Sequence, residues 1–189
     1  DTLADSVPQE SSRVHLEAID SPAYLATFDR DEIAEHIRHI GRNEKVAATF
    51  RHQARHTEIT VIARDAPFLL SKFCGVLSAN DANILDAHIF TRSDGIIIDK
   101  FRVTDFVSQA FLAEQQCAKI LQELNDVLGG SVDIKDLLQR HRMKWRRRTR
   151  ALSSNVRFDV VFEEHPRFTI IDLFGADMLG FLYKVTETM

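Results

Sequence analysis

The residues best placed to do chemistry stand at a turn. In TVIARDAPFLLSKFCGVLSANDANI (Thr60 to Ile84) an apolar strand runs into Asp65-Ala66-Pro67, and an apolar helix follows at once through Phe68-Leu69-Leu70. The first turn of a helix presents backbone N–H groups with no partner inside the helix, together with the positive end of its dipole. Such a corner suits a small carboxylate, as on an amino acid. A glycine at the turn lets a ligand approach the backbone closely. Asp177-Met178-Leu179-Gly180-Phe181-Leu182 sets out a similar order and has that glycine, where the first stretch has Phe68. The first turn therefore reads as a packing corner, with the benzyl group filling the space or pointing into a neighbour. The second is the better binding candidate.

Three other constellations are weaker. GGSVDIKD (Gly129 to Asp136) has the glycines and carboxylates of a nucleotidyltransferase metal site, but Asp133 and Asp136 stand too close behind the glycines. The glycines read as a helix stop. His36-x-x-His39 and His52-x-x-x-His56 have ligand-like spacing, yet no third ligand is evident, and exposed or capping histidines are expected. RHRMKWRRRTR (Arg140 to Arg150) carries seven Lys or Arg in eleven positions around Trp145. It could meet nucleic-acid phosphate. With a net charge of -4, a solvated linker whose arginines pair with acidic surface is the preferred reading. Asp86 and Asp99, within strand patterns, are expected to face solvent or a subunit interface.

The elements that must hold the turn follow from periodicity. Residues 1–20 are polar with little pattern and are expected to form a tail or a partner-dependent segment. FDRDEIAEHIRHIG predicts a helix with an Asp29–Glu32 capping box, Ile33, Ile37 and Ile40 on one face, and a stop at Gly41. KVAATFRH and TEITVIA alternate as strands, and the stretch after Pro67 switches to helical period. NILDAHIFTR and IIIDKFRVTD are two strands joined by Ser93-Asp94-Gly95, and AFLAEQQCAKILQELNDVLGG is a second amphipathic helix. The order over 57–130 is strand, helix, strand, strand, helix, which predicts an α+β, ferredoxin-like βαββαβ sandwich. Its antiparallel sheet should carry helices on one face. A closing strand is owed, and VRFDVVFEE (Val156 to Glu164) is one candidate.

A shift of 112 positions superposes the second half on the first. Thr57, Ile59 and Val61 fall on Thr169, Ile171 and Leu173, Asp65 falls on Asp177, and Lys72 falls on Lys184. The fold is thus expected to be duplicated, with the second copy incomplete. The divisions are 1–44 for a polar tail and helix, 45–139 for the first copy, 140–155 for a basic linker and 156–189 for the start of the second.

At 189 residues, 44% hydrophobic and 28% charged, the chain can build a real core. It has no run long enough to span a bilayer. Cys74 and Cys117 lie in apolar helical patterns and read as buried thiols, which points to a cytoplasmic setting. The chain does not open on Met, and GFLYKVTETM stops within an amphipathic pattern, so a piece of something longer is expected.

Asp65-Ala66-Pro67-Phe68-Leu69-Leu70 followed by Asn83-Ile84, and Asp177 to Leu182 in the second copy, resemble the ACT domain, a small ligand-sensing module. FDRDEIAEHIRHI, the first copy, RRRTRAL and the second copy resemble the C-terminal region of bacterial [protein-PII] uridylyltransferase/uridylyl-removing enzymes, NILDAHIFTRSDGIIIDKFRVTD most specifically. The resemblance implies tandem regulatory modules that sense an amino acid, glutamine above all. They would act on the PII signal protein through a parent enzyme controlling nitrogen metabolism. It implies a homodimer or pairing of the two copies within one chain, no cofactor here, and Mg²⁺ only in a catalytic domain elsewhere. No membrane or nucleic-acid partner is expected. A free-standing small-molecule-binding regulator is the alternative, and a nucleic-acid contact through the arginines a more distant one.

Overall fold

The computed structural model describes residues 7–19, 21–42, 44–148, 159–164, 169–174 and 179–188. Three helices come first: α1 (Gln9–Ala18), α2 (Pro22–Thr27) and α3 (Arg30–Gly41). Then follow β1 (Val46–His52), β2 (Thr57–Arg64), α4 (Leu69–Ala79), β3 (Ala82–Thr91), β4 (Ile96–Asp105), α5 (Glu114–Leu128) and α6 (Ile134–Arg148). Last come β5 (Asp159–Glu164), β6 (Thr169–Phe174) and α7 (Phe181–Thr188).

β1 to β4 form one antiparallel sheet in the order β1-β2-β4-β3. The α+β sandwich expected from the sequence is present, and its order from β2 to α5 is the predicted βαββα. The closing strand differs from the expectation. The edge beside β2 is taken by β1, seven residues joined to β2 by a short loop, and β5 pairs with β6 in a separate two-stranded sheet. Local hairpin pairing wins because closing a four-residue loop costs less chain entropy than returning a strand from beyond α6.

Alternation sorts the sheet's side chains. Ile59, Val61, Ile97, Phe101 and Val103 face α4 and α5, joining Phe73, Leu77, Ile120 and Leu124 in the larger core. The opposite face is covered as well, where Ile62, Phe90 and Ile98 meet Tyr24 and Phe28. Residues 9–18 are therefore a docked helix and not a tail: His15 of α1 is only 1% exposed. Periodicity could not reveal this, because α1 buries one polar side chain rather than an apolar stripe.

Buried polar groups fix that cover. Arg92 Nη1 lies 2.6 Å from His15 Nδ1, His15 Nε2 lies 2.8 Å from Tyr24 Oη, and Tyr24 Oη lies 2.7 Å from His36 Nδ1. A guanidinium can only donate, so His15 accepts at Nδ1, donates from Nε2, and leaves the Tyr24 hydroxyl to donate to His36. Burial is the main cause that lowers both imidazoles, His15 to about 4 and His36 to about 3. The predicted Asp29–Glu32 capping box opens α3 with both bonds formed. Glu32 also faces inward, with its Oε1 3.0 Å from the buried Lys100 ammonium. Ser93-Asp94-Gly95 turns β3 into β4, with Gly95 at φ +77°. Asp133 accepts from the Lys135 N–H at 2.7 Å and so opens α6, of which Arg140–Arg148 are the later turns.

Candidate functional site

The second turn sits at the seam between the two halves of the chain. Gly180 has φ +80° and immediately precedes α7. Its Cα side looks onto the far end of α4, where an added Cβ would lie 3.6 Å from Ser78 Oγ. Ser78, Asn83, Ile84, Gly180, Phe181 and Leu182 line one small pocket of about 50 Å³. A wider cleft of about 210 Å³ continues from Ser78 and Gly180 past Leu179, Tyr183 and Lys184 to His141 of α6. Five of the candidate residues from distant parts of the sequence thus meet at one place, and Leu179 borders its extension. Asp177 and Met178 lie outside the described residues. Sequence reading missed Ser78 and His141. The imidazole of His141 ties α6 to the α4–β3 turn through Asp81 Oδ1 at 2.6 Å, a contact sixty positions apart that no local pattern announces.

The first turn is elsewhere. Ten residues of α-helical rise separate Phe68 from Ser78, roughly 15 Å. Asp65, Ala66, Pro67 and Phe68 are exposed. Phe68 does not fill a corner, because its side chain is 64% exposed. Its backbone has φ +61°, the left-handed conformation that Gly180 adopts 112 positions later. A residue with a Cβ is strained there by about 1–2 kcal/mol. Leu69 N–H donates to the Ala66 carbonyl at 3.1 Å and Ser71 Oγ to the Phe68 carbonyl at 3.1 Å, which closes the turn without a capping side chain at Phe68.

Other geometry follows the same 112-residue shift. β1 pairs Val46 with Ala63 and His52 with Thr57, whereas β5 pairs Asp159 with Phe174 and Glu164 with Thr169. Displacing the first register by the shift gives the second. α4 and α7, equivalent by that shift, pack on each other: a Cβ at Gly75 would come within 3.1 Å of Tyr183 Cδ2. The Cys74 thiol is hydrogen-bonded to Thr186, its own equivalent. At Cys74 and Thr186 the two helices thus touch at positions related by the shift.

Asp99 is the unexpected group near this seam. Its backbone pairs with Val61 and Ile89, and its side chain is 2% exposed, so it faces neither solvent nor an interface. Burial pushes its carboxyl up to about 7, while the Phe90 N–H, 3.4 Å away, pulls the other way. Burial likewise pushes the Cys74 thiol up to about 12, opposed by its bond to Thr186 and helped by the nearby Asp99 carboxyl. Neither cysteine is disulfide-bonded. Among the described residues no group of three His, Cys, Asp or Glu converges as a metal site, and no helix is long and apolar enough to cross a membrane.

No family model matches the chain, and no solved structure does. Curated relatives match along nearly all of it. A bifunctional uridylyltransferase/uridylyl-removing enzyme of Rhodospirillum rubrum is 32% identical over 188 residues, 96% of this chain and 20% of that protein. The enzymes of the same description in Gluconobacter oxydans and Bradyrhizobium diazoefficiens are 29% and 26% identical, over 100% and 89% of this chain. The chain spans about a fifth of the length of these relatives.

Proposed function

From the premise that this chain is homologous along its length to one segment of the bifunctional uridylyltransferase/uridylyl-removing enzymes, we propose that it is a regulatory, amino-acid-sensing part of such an enzyme. The observation that carries this reading is the cleft at Gly180, where the small pocket walled by Ser78, Asn83 and Ile84 from one half of the chain and by Phe181 and Leu182 from the other adjoins a space of about 210 Å³. A small molecule held there touches both halves at once. Its binding free energy then depends on how the halves are set against each other, which is the requirement for a ligand to shift a conformational equilibrium. The positive end of the α7 dipole favours a carboxylate at this turn, and Ser78, whose hydroxyl donates to the Cys74 carbonyl, keeps an oxygen able to accept from an amino group.

In the parent enzyme, glutamine is the proposed signal and the uridylylation state of a PII signal protein the proposed output. The two halves are proposed to pair within one chain, and the register and helix contacts related by 112 residues support a duplicated module. The test is a thermal-shift titration with glutamine and a panel of other amino acids. A ligand at a hundred times its Kd stabilises the folded state by about 2.7 kcal/mol, well within reach of the measurement. Glutamine should raise the midpoint, and Gly180→Phe should abolish the rise. Ser78→Leu, which closes the pocket from the opposite wall without touching the left-handed turn, should do the same. A flat response to every amino acid sinks the sensing role.

A further inference from the structure

A second cleft lies at the other end of α4, between the start of β1, the end of β2 and the end of α5. Its volume is about 480 Å³, and its floor is apolar, formed by Val46, Ala63, Leu69 and Leu128. Lys45, Arg64 and Lys72 line it as well. They come from three different elements or their flanks, so the chain fold rather than a basic run gathers them. None of the three side chains has a hydrogen-bond or ion-pair partner among the described residues, whereas Arg51, Arg92, Lys100 and Arg102 elsewhere are all paired with carboxylates. One acid borders the cleft, Glu44, and its carboxylate is held by His39 at 3.1 Å and Arg42 at 3.8 Å.

We infer that this cleft binds a phosphate-bearing anion of mononucleotide size, with Lys45, Arg64 and Lys72 on the phosphates and the apolar floor beneath the rest. Like charges gathered on one hollow repel, and a bound polyanion removes that repulsion. Arg64 can meet two phosphate oxygens with its planar fork, while the two ammonium groups act as movable point charges. Orthophosphate alone would leave most of the space empty, and the apolar lining offers it nothing. A nucleoside triphosphate uses both parts of the site. The site is separate from the Gly180 pocket and does not depend on the amino-acid reading.

Calorimetric titration of the full chain with ATP, UTP, tripolyphosphate and adenosine decides it, with NMR amide shifts reporting the location. Saturable binding of ATP or UTP is expected, with shifts around Ala63–Lys72. Tripolyphosphate should bind more weakly and adenosine not at all. Lys45→Gln, Arg64→Gln and Lys72→Gln should each weaken binding about tenfold, the value of one charge-assisted contact. Lys45 and Arg64 are exposed, so their variants leave the fold intact. Added salt should weaken binding in step. Absence of saturable binding at millimolar nucleotide overturns the inference. So does nucleotide affinity that survives the triple replacement, or shifts that map away from this cleft.

Discussion

Phe68 holds a backbone conformation that suits glycine, and it gains little packing in return, since most of its ring meets solvent. Replacing it by glycine should relieve strain at small cost in contacts. We expect Phe68→Gly to stabilise the chain by roughly 0.5–1 kcal/mol, and Phe68→Val, β-branched in the left-handed region, to destabilise it. Chemical denaturation of both variants checks the pair. Asp99 makes a second residue-scale prediction. Its carboxyl is raised to about 7, so the native state holds a proton that the unfolded chain, titrating near 4, has released. Stability from that proton is fully present below pH 4 and is lost as pH rises toward 7. Asp99→Asn should therefore differ little from the parent at pH 4 and be more stable at pH 8.5, which thermal melts at the two pH values would show.

At the scale of elements, the N-terminal cover depends on the Arg92–His15–Tyr24–His36 chain of bonds. Tyr24→Phe deletes one hydroxyl and leaves two buried imidazole nitrogens without partners, at a cost of about 1–3 kcal/mol. Hydrogen exchange should then quicken in α1 to α3 before the sheet. Both imidazoles are depressed, so the unfolded chain takes up protons that the native state refuses. This stability is complete above pH 6.5 and drains away as pH falls toward 4 and then 3. Gly75 is the matching lever on the other face. Any side chain there meets Ile134 within 2.7 Å and Tyr183 within 3.1 Å, so Gly75→Val should loosen α6 and α7 by about 1–3 kcal/mol with the four-stranded sheet intact. Local signals made much of this legible in the sequence: alternation gave β1 to β4, Ser93-Asp94-Gly95 gave the hairpin, and Asp29 with Glu32 gave the start of α3. The polar cover was not legible, because Arg92 and His15 meet across 77 positions and no periodicity encodes such a pair. Asp99 was misjudged for a related reason. A carboxylate within a strand pattern suggests a wet face until the helix laid over it is known.

At the scale of the molecule, α4 turns toward α7 an apolar surface, with Cys74 bonded to Thr186, 112 positions on. Removing the second half at Arg148 would bare that surface. A chain of residues 1–148 is expected to associate through α4 into two-fold dimers, which analytical ultracentrifugation would detect, while the 189-residue chain keeps the surface occupied internally. The candidate pocket was half legible at this scale. Its residues could be named from the turn motifs, but which of them meet depends on the packing of α7 on α4. The Asp65–Phe68 turn stands at the opposite end of α4 from the pocket that gathers Asn83, Ile84 and Gly180.

The place of β1 at the edge of the sheet also bears on how the protein is made. Every strand of the first sheet, together with α4 and α5, has been synthesised once the ribosome passes Leu128. The unit can close as it emerges, from neighbours already in solution, without holding an unpaired edge open for a strand still to be translated. Hairpin partners also lie near in sequence, which favours rapid pairing. When β5 and β6 appear they find the first sheet's inner strands already paired, and they hydrogen-bond to each other. Supplying the closing strand from upstream thus gives the first sheet a natural order of assembly and guards it against exchanging strands with the β5–β6 pair.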